Sequence, residues 1–162
     1  MKLQISGIVE DSIVDGPGFR TAIFVQGCEK NCPGCHNPQT HDKTGGKTVD
    51  TADITKDFGK NPMTQGITLT GGEPFLQPRP LIEIAKAAHE KGLDVYVYSG
   101  YTYEEILKDP EKKALLNECD VLIDGEYIES ERSLDLKFKG SKNQRTIQMS
   151  TQMSEVRSQK TE

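Results

Sequence analysis

Cys28, Cys32 and Cys35 stand in the spacing Cys-x3-Cys-x2-Cys. Thiolates are soft ligands that suit iron and zinc alike. Three in one tight loop can ligate three irons of a cubane cluster, which takes four cysteines when fully ligated. One iron is then left open, and an open position lets a metal bind a ligand and act on it. A zinc site is the alternative, with His36 or Cys119 completing a closed tetrahedron. The bland reading is a stripe of core cysteines, because positions i, i+4 and i+7 share one face of a helix. Pro33-Gly34 interrupts the turn such a stripe needs, and Gly27, Pro33, Gly34 and Pro38 favour a wrapping loop. Cys119, alone and just before an apolar segment, reads as packing.

A loop of this kind needs elements to hold it. Arg20 to Gln26 (RTAIFVQ) is apolar and β-branched enough for a buried strand, and it runs straight into Gly27 and the cysteines. Asp50 is placed as the N-cap of a short helix over 51–58, with Asp53 in its first turn. Gly66 to Thr70 is a second strand, ending in Gly71-Gly72. A helix follows, with Pro80 in its first turn, Leu81, Ile84, Ala85 and Ala88 on one face and Gly92 at its C-terminal cap. Asp94 to Ser99 alternates as a third strand, Thr102 and Glu105 can form a capping box for another helix, and Val121 to Asp124 is a fourth strand. Thr146 to Met149 reads as a last strand.

Strands alternating with helices imply parallel pairing and right-handed crossovers, hence an α/β fold. A parallel sheet gathers its functional loops at the carboxyl ends of its strands. Here those ends carry Gly27-Cys28, Gly71-Gly72-Glu73-Pro74, Ser99-Gly100 and Asp124-Gly125. The 162 residues suit one domain and fall short of the ~250 of an eight-unit barrel, so an open or partial barrel is expected. The close approach that a Gly-Gly turn allows would suit a ligand. An ordinary strand-to-helix turn is its bland counterpart. Residues 150–162 lack periodicity and read as a frayed tail.

Composition narrows the class. With 34% hydrophobic and 28% charged residues the chain reads as globular rather than disordered. A formal net charge of -5 offers no positive field for nucleic acid. The N-terminus has acidic residues and no apolar h-region, and no apolar run approaches a membrane span. The expected compartment is the cytoplasm, where cysteines clustered this closely signal metal or redox chemistry rather than disulfides.

The cysteine loop, preceded by Asp15-Gly16-Pro17-Gly18-Phe19-Arg20 and followed by Thr70-Gly71-Gly72-Glu73-Pro74 and Gly140-Ser141-Lys142-Asn143-Gln144-Arg145, resembles the radical S-adenosylmethionine activating enzymes of glycyl-radical enzymes. The resemblance covers roughly residues 3–149 and implies one radical S-adenosylmethionine domain over 1–149, a parallel-sheet partial β/α barrel. It implies a 4Fe-4S cluster on Cys28, Cys32 and Cys35, whose open iron chelates S-adenosylmethionine. One electron then splits the cofactor, and the 5′-deoxyadenosyl radical takes a hydrogen atom from a glycine of the partner. The cofactor carries this chemistry, and the protein orients it and excludes water and oxygen. No general base is called for.

By the same resemblance Gly71, Gly72 and Glu73 meet the methionine end of the cofactor. Gly34 and His36, flanking Cys35, line its adenine, and Ser99 and Asp124 reach its ribose or methionine groups; as bland alternatives, strand-end polar residues also serve as helix caps. The Asp15-Gly16-Pro17-Gly18 turn lies near the cluster loop. Arg20 is either a solvated charge or a neutraliser of cofactor or cluster charge. The implied partners are the large catalytic subunit of an anaerobic ribonucleoside-triphosphate reductase and an electron donor such as flavodoxin, with no nucleic acid and no membrane. An activating enzyme of pyruvate formate-lyase or another glycyl-radical enzyme is the runner-up. A zinc module and a simple iron–sulfur carrier are the non-catalytic readings, and neither needs the crevice that the strand-end glycines suggest.

Overall fold

A computed structural model describes residues 1–12, 17–27, 46–125 and 143–149. Cys28, Cys32, Gly34, Cys35 and His36 lie outside the described residues, as do Asp15, Gly16, Gly140 to Lys142 and the segment 150–162.

The elements in chain order are β1 (Lys2–Ser12), β2 (Phe19–Val25), β3 (Lys47–Asp50), α1 (Thr51–Thr55), β4 (Thr64–Gly71), a 3₁₀ turn (Pro74–Leu76), α2 (Pro78–Glu90), β5 (Asp94–Tyr98), α3 (Tyr103–Leu107), α4 (Pro110–Leu116), β6 (Val121–Asp124) and β7 (Arg145–Gln148). They form one sheet in the order β3-β1-β2-β4-β5-β6-β7. The four central strands, β2, β4, β5 and β6, are parallel as expected. The flanks are not: β1 pairs antiparallel with β2 and β3, and β7 pairs antiparallel with β6. The architecture is therefore mixed α/β with an open sheet rather than an all-parallel one. The flanks were hidden because β1 shows its apolar alternation only at Leu3 and Ile5, which are buried; beyond them Ile8 and Val9 are adjacent and exposed and break the pattern. β3 is four residues long and largely exposed.

Local chemistry explains the helices. Asp50 caps α1 by accepting from the Ala52 N–H at 3.0 Å. The capping box is present, with Glu105 N donating to Thr102 Oγ1 and Thr102 N to Glu105 Oε1. The helix it starts stops at Leu107, and Asp109 and Pro110 begin α4 as N-cap and first residue. Among the described residues no helix is long and apolar enough to cross a membrane.

The core lies on one face of the sheet. Register aligns Ile23, Leu69, Val97 and Leu122 across the parallel strands, and Ile147 of β7 follows. Ile54, Leu81, Ile84, Ala85, Ala88, Ile106, Leu115 and Leu116, from all four helices, pack onto that row. Burying each large aliphatic chain there contributes about 1.5–3 kcal/mol. The other face is built from Arg20, Ala22, Phe24, Thr68, Thr70, Tyr96 and Tyr98.

Arg20 belongs to this second face and is fully buried, neither a solvated charge nor, this far from the end of β2, a neutraliser of cofactor or cluster charge. Its Nε donates to Thr68 Oγ1 at 2.9 Å, Nη1 to the Pro17 carbonyl at 3.1 Å and Nη2 to the Ile67 carbonyl at 2.8 Å. Nη2 also pairs with Asp94, and the guanidinium stacks 4.3 Å from the Tyr96 ring centre. It sits at the amino ends of β4 and β5, on the order of 20 Å from the cysteine end of β2 at ~3.3 Å per residue. Truncating one partner of such a network leaves buried acceptors bare. Arg20→Met is therefore expected to lower stability by about 3 kcal/mol in urea unfolding. A loss below about 1 kcal/mol would mean that water replaces the guanidinium.

Candidate functional site

The cysteine segment begins directly after β2, and the structure defines how it begins. The Val25 carbonyl accepts from the Gly72 N–H at 2.8 Å and the Gly27 carbonyl from the Glu73 N–H at 2.7 Å. Between them, the Gln26 carbonyl accepts from the Gln77 carboxamide at 3.2 Å. Three consecutive carbonyls before Cys28 are thus held by the segment that follows β4. The return end is held at the same place. A Cβ on Gly46 would stand 2.3 Å from the Ile5 carbonyl oxygen and 3.1 Å from Gln26 Cβ. The chain therefore leaves at Gln26, carries the three cysteines through residues 28–45, and comes back against Gln26.

Gly71 is needed for packing between strands. It has φ +95°, and a Cβ there would lie 2.7 Å from both the nitrogen and the oxygen of Val25. The close approach that the sequence assigned to a ligand is, at Gly71, the approach of β2. Gly72 comes next in the turn, and its N–H is spent on Val25.

Glu73 is buried, and its carboxylate accepts from Phe75 N at 3.1 Å, Ser99 Oγ at 2.9 Å and Gly100 N at 2.7 Å. Ser99 Oγ in turn accepts from Tyr101 N at 3.0 Å. The two side chains tie the end of β4 to the end of β5. Asp124 shares strand parity with Leu122 and so lies toward the helices. Its carboxylate accepts from Tyr103 N, at the start of α3, at 2.7 Å, and forms a fork with Arg145, whose Nε donates at 3.0 Å. The same guanidinium reaches Glu104 at 2.8 and 3.3 Å. These hydrogen bonds, to Asp124 first and then Glu104, raise the Arg145 pKa above its ordinary value, and Arg145 holds the Glu104 carboxyl below its own. Glu73, Ser99 and Asp124 thus meet at the carboxyl edge of the sheet as expected, with these polar atoms engaged by protein groups.

The sequence reading gave Gln144 and Arg145 only as part of the Gly140–Arg145 motif, with no role, and did not single out Gln77. Gln144 donates to the Gly125 carbonyl at 3.1 Å, so the end of the Gly140–Arg145 motif clasps the carboxyl end of β6. The signal for Arg145 was the motif itself. For Gln77 there was none, because a glutamine before a proline-rich helix start looks like a linker residue.

Cys119 is fully buried, with Sγ donating to the Leu115 carbonyl at 3.3 Å. Burial, then the neighbouring Asp120 and Glu118, push its thiol far above the ordinary range. It precedes β6, at the edge of the sheet opposite the cysteine loop, and is no fourth ligand. Cys119 therefore drops out of the candidate donors, which leaves Cys28, Cys32, Cys35 and His36, all outside the described residues. Two outcomes follow. Native protein at neutral pH should show no alkylation of Cys119 by iodoacetamide, with full labelling after denaturation; native labelling would place the thiol at the surface. Gly71→Ala should cost about 2 kcal/mol or more in urea unfolding, from backbone strain and the clash with Val25; a neutral effect would mean that β2 has room to shift.

Comparison with known proteins points to an iron–sulfur cluster. The family model described as a 4Fe-4S single cluster domain matches residues 14–147. The pyruvate formate-lyase-activating enzyme of Clostridium pasteurianum is 40% identical over 114 residues, which is 65% of this chain and 48% of that protein; this chain thus spans about half of that relative's length. The anaerobic ribonucleoside-triphosphate reductase-activating protein of Pasteurella multocida (strain Pm70) is 36% identical over 141 residues, 82% of this chain and 89% of that one. The protein of that name from Enterobacteria phage T4 is 36% identical over 141 residues, 82% of this chain and 85% of that one. On the family match and on this near full-length coverage, the chain belongs to the 4Fe-4S single cluster domain family and, within it, to the anaerobic ribonucleoside-triphosphate reductase-activating proteins.

Proposed function

We propose that this chain is the activating enzyme that places a glycyl radical on the large catalytic subunit of an anaerobic ribonucleoside-triphosphate reductase. The observation that carries the reading is the cysteine segment pinned at both ends against Gln26, beside the Gly71-Gly72-Glu73 turn. Cys28, Cys32 and Cys35 hold a 4Fe-4S cluster. That cluster supplies an open iron for S-adenosylmethionine and the electron that cleaves it. For each hydrogen atom taken from the partner glycine, one electron and one S-adenosylmethionine are consumed, and methionine and 5′-deoxyadenosine are released.

The chain's own residues do the positioning. Gly72 brings backbone close to the methionine end, and Gly34 and His36 flank the adenine. Glu73, Ser99 and Asp124 act on the cofactor through the strand ends they fasten. The four helices among the described residues pack on one face of the sheet, and this supports a partial barrel whose other face, with Phe24, Thr70 and Tyr98 toward its carboxyl edge, lines the crevice. The domain runs over 1–149 with a tail at 150–162. The enzyme works in the cytoplasm, with a low-potential donor such as flavodoxin.

A partner glycine must leave its own fold to enter the open edge of the sheet, so recognition couples to local ordering of the partner loop. The pyruvate formate-lyase reading is less supported, because that match covers 65% of this chain against 82% for a reductase-activating protein.

Anaerobic reconstitution should give about four irons per chain, and S-adenosylmethionine should perturb the paramagnetic resonance of the reduced form. Cys28→Ala, Cys32→Ala or Cys35→Ala should abolish both, and Cys119→Ala should leave the cluster in place. Gly72→Val should keep the iron and lose most cofactor cleavage. With the reductase subunit, the mixture should yield a stable glycyl radical, and with pyruvate formate-lyase little or none. Stoichiometric zinc without iron would overturn the chemistry, and the reverse partner preference would overturn the partner.

A further inference from the structure

Gln77 occupies the N-cap position of α2, where Ser, Thr, Asp or Asn would satisfy a free backbone N–H. Its side chain makes no capping bond. It reaches back across the sheet edge instead. Oε1 accepts from the Gln4 N–H at 2.9 Å, and Nε2 donates to the Gln4 carbonyl at 2.9 Å and the Gln26 carbonyl at 3.2 Å. The carboxamide thus stands in for a stretch of strand, bonding β1 as a backbone would while its second donor grips β2. With Gln4, Gln26, Gly27 and Leu76 it lines a cavity of about 270 Å³ at the foot of the cysteine segment.

The geometry around Gly27 gives this bond its consequence. Gly27 has φ +104° and is the last joint before Cys28. A glycine there is a swivel between two peptide planes. The plane after it, which carries the Cys28 nitrogen, is held by Glu73 N at 2.7 Å on the Gly27 carbonyl. The plane before it carries the Gln26 carbonyl, and that carbonyl is held by Gln77. The Gln26 N–H, bonded to the Gln4 carbonyl at 3.0 Å, belongs to the preceding plane and cannot do this work.

We infer that Gln77 is a positioning residue for the cluster: through the Gln26 carbonyl it locks the Gly27 swivel and so sets the direction in which Cys28 is presented. This rests on the cluster reading above. Outer partners that orient a metal ligand are worth roughly 10- to 100-fold in metal retention when lost, and the same range is expected here.

The test uses full-length protein reconstituted anaerobically with ferrous iron and sulfide. Loss of cluster absorbance is followed after addition of a ferrous chelator, and thermal unfolding is recorded on the same samples. Gln77→Leu removes every bond of the carboxamide. Gln77→Glu keeps the size and the acceptor for Gln4 N–H but cannot donate to Gln26, and it stands in if Gln77→Leu does not fold. Ile106→Val loosens the core under α3, away from the β2 exit, and controls for lost stability alone. Both Gln77 variants should lose the cluster roughly 10- to 100-fold faster than wild type, while Ile106→Val keeps the wild-type rate. Wild-type retention in either Gln77 variant would reduce Gln77 to a brace between strands and overturn the inference, as would equal cluster loss in Ile106→Val. Those outcomes leave the cluster reading intact; a wild-type chain that holds no cluster would overturn that reading and this inference with it.

Discussion

Three carbonyls in a row, those of Val25, Gln26 and Gly27, are the point on which the candidate site turns. A strand end left to itself frays, because its peptide groups have water as an equal partner. Here each oxygen meets a donor from the turn after β4. The hydrogen bonds are ordinary in length, and each contributes on the order of 1 kcal/mol. Their value lies in geometry. They convert the end of β2 into a fixed post from which the cysteine segment departs and beside which it returns. Gly46, the first described residue after 28–45, stands against Gln26, so the two ends of the segment lie close together.

Parallel pairing makes that post possible. In a parallel sheet the carboxyl ends of successive strands lie side by side, so the turn leaving β4 necessarily abuts the end of β2. Gly71 allows contact at backbone distance, Glu73 passes the connection to β5 through Ser99 and Gly100, and Asp124 and Arg145 repeat the device between β6, α3 and β7. The edge is a chain of side-chain clasps. Arg20 plays the corresponding part at the opposite edge, where it joins Pro17, Ile67, Thr68 and Asp94.

How much of this could be read from sequence follows from which residues carry local signals. The parallel strands were legible because they are short apolar runs ending in glycine. α2 was legible from the spacing of Leu81, Ile84, Ala85 and Ala88, and α3 from its Thr102–Glu105 box. The direction of Ser99 was also present in the text, since Val95, Val97 and Ser99 alternate with two tyrosines. Asp124 offered no such cue: every residue of β6 is buried, so the run VLID shows no alternation from which to choose a face. β1 was missed because Ile8 and Val9, adjacent and exposed, break the alternation begun by Leu3 and Ile5, and β3 because a four-residue edge strand with a single apolar residue resembles a loop. Arg20 was misread because its acceptors come from residues 17, 67, 68 and 94, contacts that exist only after the sheet assembles.

The same separation applies to the motif Thr70-Gly71-Gly72-Glu73-Pro74. Its residue types suggest a ligand, and its first bonds are made within the protein. The two statements are compatible. A backbone that must meet a small cofactor without side chains in the way has to be held by something else, and here it is held from behind by Val25, Gly27, Ser99 and Gly100. Buried polar groups that are fully satisfied make a rigid support, whereas a carboxylate left half-paired would be costly and mobile. Glu73 therefore serves a cofactor best by being unavailable to it. In the proposed enzyme the cysteines supply the chemistry, and the carboxyl edge of the sheet supplies a surface that does not yield when the cofactor binds.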